Sequence, residues 1–580
     1  MFSNGARSGA TAHRARLFTQ GVFMKKTIEK NTTVAAGKVS LGNKIAFACG
    51  DIFGGGSFNV INFLFVEFLT LVVGLPMTSL AVVLLLTKIW DGVIDPFIGK
   101  ITDGKTPGRL GKRRFFMLVA APFVLVGFVA LFFPWNIIPS IADNVPVKMF
   151  LVIVSYMFYA TAQSLVLIPY YSHASEMTDD YTERNKVNAL RLCFSLASSL
   201  LCVVLPQYIA RPDNGDNGVC YIYMALAFGG VFVVSVLVTA LFSHEQVVYP
   251  AVRRKLSLRE FVRPLQLRTY RQYLGMQMCA SMSMAIMSGF FYTFFNFYLR
   301  NNSYPVLMAT EGGHFAMPAA TIAAALMFVS QIIAMPFYLK LIKMRTKRFA
   351  YIAGAAIWAT VTATMLLLPR ESTAPSVAGS VVTASSGTPD WLVILYGFLL
   401  GFGICGTVFV PHSSFGDVCD VGELYFGQRT EGGFSGLTNF LNTTAQAIGL
   451  FIAPLIVGFA GYEQTTYASL AELPSDVAAT LTSGAWSDGV KPWVIVDRFK
   501  YVMYGDMVQI QPISQPEGAQ IGILITFTVV PIVVLVIGMI IASRFKLTRE
   551  LQQRIVECNR IADKTTDEYK KTREELLSQL

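Results

Sequence analysis

Two aspartates, Asp91 and Asp95, stand four residues apart in the otherwise apolar stretch KIWDGVIDPF at 88–97. In an α-helix, residues i and i+4 lie on one face, so both carboxylates point into the same space. Asp91 is about 12 residues into a long apolar run, which places it roughly 18 Å along a helix axis. An ionisable residue at that depth in a bilayer costs about 2.5–3.5 kcal/mol unless a ligand or partner compensates it. The pair therefore predicts a binding site for a proton or Na⁺.

Lys88 permits a second interpretation of the same residues. It precedes Asp91 by three positions and shares its predicted helix face. An ion pair between Lys88 and Asp91 would leave Asp95 protonated and give all three residues a structural role. We favour the cation site, because ionisable residues inside membranes usually belong to ion pathways. Lys88 is compatible with both interpretations, since it can compensate the carboxylates when the cation is absent.

The elements that position these residues are long apolar runs. The 580-residue chain is 53% apolar and 14% charged and contains 44 Phe, which is too apolar for a water-soluble domain of this length. A helix of about 20 residues crosses the hydrocarbon of a bilayer. Twelve runs of that length predict an all-α membrane protein with twelve transmembrane helices, near 45–74, 78–102, 114–134, 147–176, 187–210, 220–243, 273–299, 317–340, 348–369, 391–416, 432–461 and 519–545.

The basic residues between the runs predict the topology. Clusters of Lys and Arg follow the second, sixth and eighth runs, whereas the connection VGLPMTS between the first two has no charge. By the positive-inside rule both termini are cytoplasmic, and we expect a multi-pass protein of the bacterial cytoplasmic (inner) membrane. Topology and lipid headgroups account for the net charge of +11, so no nucleic-acid partner is expected. The sequence MKKT at Met24 resembles a bacterial start, which we favour over Met1.

An internal repeat divides the chain into two halves. An offset of 240 residues aligns DPFIGK at 95–100 with MPFYLK at 335–340, and a basic cluster follows each. At that offset the partners of Lys88, Asp91 and Asp95 are Phe328, Gln331 and Met335, so the helix does not require carboxylates. The predicted segments are an N-terminal tail at 1–43, a six-helix half at 44–243, a linker at 244–272, a second six-helix half at 273–546 with an extracytoplasmic insertion at 462–518, and a C-terminal tail at 547–580.

The insertion and the C-terminal tail are the two long polar segments beside the helices. The insertion, rich in Ser, Thr, Asp and Gly, is either a small ordered cap or a flexible loop. The tail has charged residues with apolar positions at helical spacing, and we expect a solvated cytoplasmic helix.

Polar side chains within the runs are candidates for binding a polyhydroxy substrate. The first run contains Asn59, and the eleventh contains Asn439 and Thr443. Amides and hydroxyls donate to and accept from sugar hydroxyls. The alternative is that they form hydrogen bonds between helices. The eight cysteines include no CxxC pair, and no HExxH, GxSxG or phosphate-binding glycine loop occurs, so neither a metal or cofactor site nor an enzyme is expected.

Two motifs resemble those of the glycoside-pentoside-hexuronide:cation symporters, the melibiose permease group of the major facilitator superfamily. They are KIWDGVIDPFIGKITD at 88–103 and GDVCDVGELYFGQRTEGGFSG at 416–436. The resemblance implies a major facilitator fold and a cation-coupled sugar carrier that works as a monomer. It implies that Asp91 and Asp95 bind the coupling ion with the hydroxyl of Ser164. It also implies that Arg191 contacts the sugar and that the ring of Tyr171 stacks on it.

Three departures limit what the resemblance implies. Gly55, Leu167 and Thr443 occupy the positions of two sugar-site carboxylates and a lysine of the melibiose permease group. We therefore expect a hexuronide, pentoside or β-glycoside rather than a galactoside, with Lys88 and Arg191 lining the site. A thinner oxygen shell favours H⁺ over Na⁺, although a Na⁺ ion between Asp91 and Asp95 stays an alternative.

Other functions remain open at this level. Eukaryotic relatives of this family carry lipids, so a cation-coupled lysolipid carrier is an alternative, and so is a membrane sugar sensor that does not transport. Charged residues at the ends of the second and tenth runs are expected to form a cytoplasmic gate, paired when the carrier faces outward: Asp103 and Arg109, with Asp417 and Asp420.

Overall fold

The computed structural model describes most of the chain. Its described residues are 39–105, 111, 113–142, 144–177, 181–210, 218–244, 262–299, 319–368, 376–378, 381–383, 388–427, 431–483, 493–496, 499–504, 507–512, 514–560 and 567–579.

The N-terminal half consists of six long helices. They are α1 (Leu41–Glu67), which continues as a π-helical turn at Phe68–Val72, α2 (Met77–Gly104), α3 (Arg114–Leu131), α4 (Val145–Met177), α5 (Tyr181–Ile209) and α6 (Val219–Phe242). Ser40 caps α1 by accepting from the backbone N–H of Asn43. Arg114 donates to the carbonyls of Ala240 and Leu241, which ties the start of α3 to the end of α6.

The C-terminal half repeats this arrangement. Its helices are α7 (Arg268–Gly289), α8 (Ala319–Met344), α9 (Lys347–Thr364), α10 (Asp390–Phe426), α11 (Glu431–Phe459) and α12, which runs as Glu517–Leu524, a π turn at Ile525–Val529 and Val530–Ser543. After a 54° bend, α7 continues over Phe291–Phe294 and a π turn at Phe295–Leu299. In the described residues eleven helices are long and apolar enough to cross a membrane, and the bent α7 gives twelve. The predicted fold class is confirmed.

The two ends of the bundle differ, and we name them by their loops. The basic face carries the Lys- and Arg-rich connections that follow α2 and α8, and the insertion face carries the segment between α11 and α12. At the insertion face the halves touch through aromatic rings, with Phe63 of α1 packing 5.6 Å from Phe291 and 6.0 Å from Phe328. Toward the basic face, ion pairs form within each half: Lys44 with Glu183, and Lys347 with Asp417. The interface between the halves is therefore closed at the insertion face.

The described residues of the insertion form a small folded cap, which is the first of the two predicted possibilities. Its strands form an antiparallel sheet in the order β3-β6-β5-β4, with β3 at Thr466–Ser469, β4 at Trp493–Val496, β5 at Phe499–Tyr504 and β6 at Met507–Pro512. A short helix, Ser475–Ser483, packs Val477 and Leu481 onto the sheet. Strands β1 (Ser376–Ala378) and β2 (Val381–Thr383) form a separate hairpin between α9 and α10.

The cap contacts the N-terminal half around Tyr467 and Thr465. The Tyr467 hydroxyl donates to the carbonyl of Val72 at 2.7 Å and accepts from Asn136 Nδ2 at 2.6 Å. Beside it, the backbone N–H of Thr465 donates to the carbonyl of Thr70. Although the insertion is part of the C-terminal half in sequence, it is hydrogen-bonded to the other half.

The C-terminal tail departs from the expectation of a solvated helix. It forms α13 (Arg549–Arg560) and α14 (Asp567–Gln579), and both pack at the end of α10. Leu551, Ile555 and Cys558 are buried, because their i, i+4, i+7 spacing forms one apolar stripe. Arg573 donates to the last carbonyls of α10, those of Leu424 and Tyr425, at 2.8 Å each.

Candidate functional site

Asp91 lies in a charged contact in the interior of the N-terminal half. Its Oδ2 is 3.4 Å from Lys88 Nζ and accepts from the Tyr156 hydroxyl of α4 at 3.3 Å. Lys88 is only 6% exposed, and its Nζ lies 5.8 Å from the centroids of both the Phe58 and Tyr156 rings. The ion pair that the sequence left open is therefore present. An ammonium and a phenol compensate Asp91 inside the bundle.

Asp95 has a different environment one helical turn away. Its Oδ1 accepts from the Ser164 hydroxyl of α4 at 2.6 Å, and its charged neighbours are Asp91 and Lys88. The geometry brings Asp95 and Ser164 together as the sequence predicts, although their role stays a prediction. Asp95 has a hydroxyl where Asp91 has an ammonium, so of the two it is the freer to exchange a proton.

A Na⁺ site at this pair would be sparse in ligands. Nowhere in the described part of the chain do three or more His, Cys, Asp or Glu side chains form a possible metal cluster. The side-chain oxygens at Asp95 include its own carboxylate, Ser164 Oγ and the carboxylate of Asp91 one turn away. Hard cations take about six oxygen ligands, whereas a proton needs a single carboxylate oxygen.

A second charged cluster lies beside the first and is formed by α1, α4 and α5. Asp51 Oδ2 is 3.9 Å from Arg191 Nε, and the Arg191 guanidinium lies 5.1 Å from the centroid of the Tyr171 ring. The Ser195 hydroxyl is a further hydrogen-bond partner of Asp51. Tyr171 lies seven residues, or about two helical turns, after Ser164 on α4, which places this cluster near the aspartate pair. Tyr171 is 49% exposed, so one side of its ring is accessible.

The ion pair of Asp51 with Arg191 was not predicted, although the positions of the two residues in their helices indicate it. Asp51 lies ten residues after the start of α1, and Arg191 lies ten residues after the start of α5. Both helices start at the basic face, so the two charges lie at the same depth. A carboxylate and a guanidinium at matched depth on neighbouring helices predict an ion pair.

Gly55 explains why no carboxylate occupies the position expected from the resemblance. A Cβ at Gly55 would collide with Ser195 Oγ and lie 3.0 Å from the Ser195 carbonyl oxygen. A residue with a side chain there would push α1 away from α5. Asp51, one turn earlier on α1, instead brings a carboxylate to Arg191.

The predicted polar contacts divide into two groups. Asn59 is buried, and its Nδ2 donates to Ser199 Oγ at 2.9 Å and to the Gly55 carbonyl at 2.8 Å, which is the helix-packing alternative. On α11, Asn439 is exposed and Thr443 is partly exposed. These two side chains are accessible to a ligand, and their substrate role stays a prediction.

Of the four residues predicted to form the cytoplasmic gate, the structure describes the side chains of two, Asp417 and Asp420. Arg109 and the side chain of Asp103 lie outside the described residues. Asp417 accepts from Lys347 at 2.6 Å, and Asp420 accepts from Gln552 of α13 at 3.2 Å. Asp417 thus contacts the C-terminal half and Asp420 contacts the C-terminal tail, and their role in a gate stays a prediction.

Comparisons with known proteins identify the family and the fold. The family profile described as MFS/sugar transport protein matches residues 46–485. A symporter of Synechocystis sp., sll1374, is 25% identical over 506 residues, covering 74% of this chain and 88% of its own length. The putative glycoside/cation symporter YagG of Escherichia coli K12 is 27% identical over 187 residues, covering 32% of this chain and 39% of its own.

Among solved structures, the nucleoside transporter NupG superimposes with a TM-score of 0.51 at 13% identity, covering 86% of this chain and 98% of its own. At 13% identity this structural similarity is evidence for the fold alone. The fold, the family profile and the relatives describe a multi-pass, cation-coupled membrane transporter and not an enzyme. The chain belongs to the glycoside-pentoside-hexuronide:cation symporter family of the major facilitator superfamily.

Proposed function

We propose that the protein couples H⁺ movement to the uptake of a sugar or glycoside by alternating access between its two halves. The observation that carries this proposal is that two polar clusters share α4, where Ser164 and Tyr171 lie seven residues, or about two helical turns, apart. Asp95 with Ser164 is suited to bind the cation, and Arg191 with Tyr171 is suited to bind a sugar. Because the two clusters lie about two turns apart on the same helix, a ligand at one affects binding at the other, and this coupling is reciprocal.

The charges of the two clusters support one H⁺ for each substrate. Two cations and three carboxylates meet in this part of the bundle: Lys88, Arg191, Asp51, Asp91 and Asp95. With all five ionised, one negative charge is left over, and protonation of Asp95 makes the region neutral. Neutralisation lowers the cost of enclosing the region when the halves close over it.

The same charges favour a neutral substrate. Arg191 has Asp51 as a counter-ion, so its positive charge is not available for a hexuronide without competition from that carboxylate. A pentoside or β-glycoside can accept hydrogen bonds from the guanidinium, donate to Asp51 and stack on Tyr171. The exposed polar positions of α11, Asn439 and Thr443, would contact the far side of the sugar from the other half.

The closed insertion face corresponds to an inward-open carrier. This assignment takes the basic face as cytoplasmic, with both termini on that side of a bacterial inner membrane. Each half supplies its own part of the pathway, so a monomer is sufficient for transport.

The proposal is tested by uptake into proteoliposomes. The assay imposes a pH or Na⁺ gradient and offers a labelled xyloside, β-glucoside, galactoside, glucuronide and lysophosphatidylcholine. We expect the pH gradient to drive accumulation of a neutral glycoside, and Asp95→Asn to prevent it. Met335→Leu, at the matching position of the other half, should accumulate the glycoside normally.

Each of the other outcomes of the uptake assay would contradict one part of the proposal or support another function. Accumulation driven only by Na⁺ would contradict the H⁺ assignment, and accumulation of the glucuronide alone would contradict the neutral substrate. Uptake of the lysolipid and of none of the sugars would support the lysolipid carrier. Saturable sugar binding without accumulation under either gradient would support the sensor.

A further inference from the structure

A buried carboxylate at the closed insertion face has no part in the proposed coupling. Glu67 is the last residue of α1 before the π turn at Phe68–Val72, and it is 6% exposed. Its Oε1 accepts from Asn296 Nδ2 at 3.2 Å. Asn296 belongs to the π turn that ends α7, so this hydrogen bond joins the two halves.

The surroundings of Glu67 are mainly aromatic. The titratable groups that face it are three phenols, Tyr221 of α6, Tyr292 of α7 and Tyr462 after α11. The buried cation at this end of α4, Lys148, donates to the carbonyl of Val73 at 2.9 Å. The partner that Glu67 uses across the interface is therefore a neutral amide.

A carboxylate in this setting is costly when ionised. Enclosing an ionised carboxylate among aromatic rings, with an amide as its partner, removes its water, and the contacts of Glu67 in the described part of the chain supply no counter-charge. The neutral carboxyl keeps an oxygen that accepts from Asn296, so protonation preserves the contact between the halves. When the halves separate at this face, Glu67 would be in contact with the water outside.

We propose that Glu67 is a second proton-binding site, separate from Asp91 and Asp95, which takes its proton from the insertion face and closes that face when occupied. The proton adds to one carboxylate oxygen, and no other bond changes. The paired π turns of α1 and α7 are suited to this motion, since π turns in helices often mark functional positions. The proposal rests on the alternation of the halves in the proposed function but not on which cation Asp95 binds.

The test measures the distance between spin labels across the insertion face. Ser140 of the N-terminal half and Leu367, just after α9 in the C-terminal half, are both exposed and accept cysteine labels after the exposed Cys193 is replaced by serine. In reconstituted wild-type protein we expect the short-distance population to grow as pH falls from about 8 to about 5, the range in which a carboxyl in an apolar site titrates. Glu67→Gln, which resembles the neutral acid, should hold the short distance at both pH values. Asp95→Asn should keep the pH response.

Three results would overturn the proposal in distinguishable ways. A pH response that persists in Glu67→Gln excludes Glu67 as the site. A wild-type distance that changes with added substrate but not with pH is consistent with alternation of the halves. It would show that protonation of Glu67 does not control closure of the insertion face. A distance that changes under no condition contradicts both the gate and the proposed alternation. Asn296→Leu keeps the carboxylate without its amide, and we expect it to weaken closure at low pH without abolishing the response.

Discussion

The contact between α2 and α4 and its counterpart between α8 and α10 differ in what lies between the helices. In the N-terminal half, α2 and α4 meet through side chains, with Ser164 donating to Asp95 and Trp90 Nε1 donating to Thr161 Oγ1 at 3.1 Å. In the C-terminal half, α8 and α10 meet backbone to backbone. A Cβ at Gly401 would collide with the Met327 carbonyl, and one at Gly397 would collide with that of Ala323.

This difference shows how a duplicated fold can give its halves separate roles. Pro96 and Pro336 occupy matching positions in α2 and α8, so the two backbones correspond. Gln331, the counterpart of Asp91, donates to the carbonyl of Met327 in its own helix. Close packing at the two glycines leaves no space for a ligand between α8 and α10 at that level. The counterparts of Lys88, Asp91 and Asp95 in α8 are uncharged, so the cation site that we propose has no equivalent on that helix.

The largest effect is expected from Asp91→Asn compared with Gln331→Leu. Loss of Asp91 leaves Lys88 with an uncompensated charge that opposes cation binding at Asp95. We expect gradient-driven accumulation to disappear in Asp91→Asn while exchange of substrate across the membrane continues. Gln331→Leu should accumulate like wild type. Normal accumulation by Asp91→Asn would show that the pair is structural, as the alternative interpretation of Lys88 holds.

Apolar runs and helical spacing in the sequence were sufficient for the fold and for the shared face of Asp91 and Asp95, because helices preserve that local periodicity. Ser164, Tyr171 and Arg191 were implied only by the family resemblance, and Tyr156 and Asp51 were not predicted. Asn59 could not be assigned, because its contact with Ser199 depends on the rotation of α5. The packing of α13 against α10 was missed because an amphipathic helix does not identify its partner.

The next largest effect is expected on stability, from the buried pair of Lys88 and Asp91. Removing one member of such a pair leaves an unpaired buried charge and costs about 3–5 kcal/mol, whereas removing both is often neutral. We expect Lys88→Met to lower the thermal midpoint in detergent and Lys88→Met combined with Asp91→Leu to restore most of it. Phe328→Leu, at the matching position of α8, is the control and should change it much less. Equal losses in the single and double variants would show that the ion pair contributes little.

A smaller effect on stability is expected where α8 and α10 touch. Gly401→Ala places a methyl group against the Met327 backbone, and overpacking of this kind costs about 1–3 kcal/mol. Gly416→Ala in the same helix has open space around it and should be neutral or slightly stabilising, because alanine is the better helix former. The comparison is made by thermal unfolding of the two variants. If both have the same midpoint, the close approach of the two backbones is not a constraint on this half.

The smallest effects distinguish two serine hydrogen bonds that look alike. Ser164 Oγ donates to Asp95 at 2.6 Å, and Ser330 Oγ donates to the Phe398 carbonyl at 2.6 Å. A bond to a charged group contributes about 1.5–3 kcal/mol and a neutral one about 1 kcal/mol. Ser164→Ala should therefore slow gradient-driven uptake about tenfold, whereas Ser330→Ala should lower the unfolding midpoint slightly and leave uptake unchanged. Because both changes delete one hydroxyl between two helices, a difference in uptake alone assigns the cation to the N-terminal half, and equal uptake would remove Ser164 from the cation site.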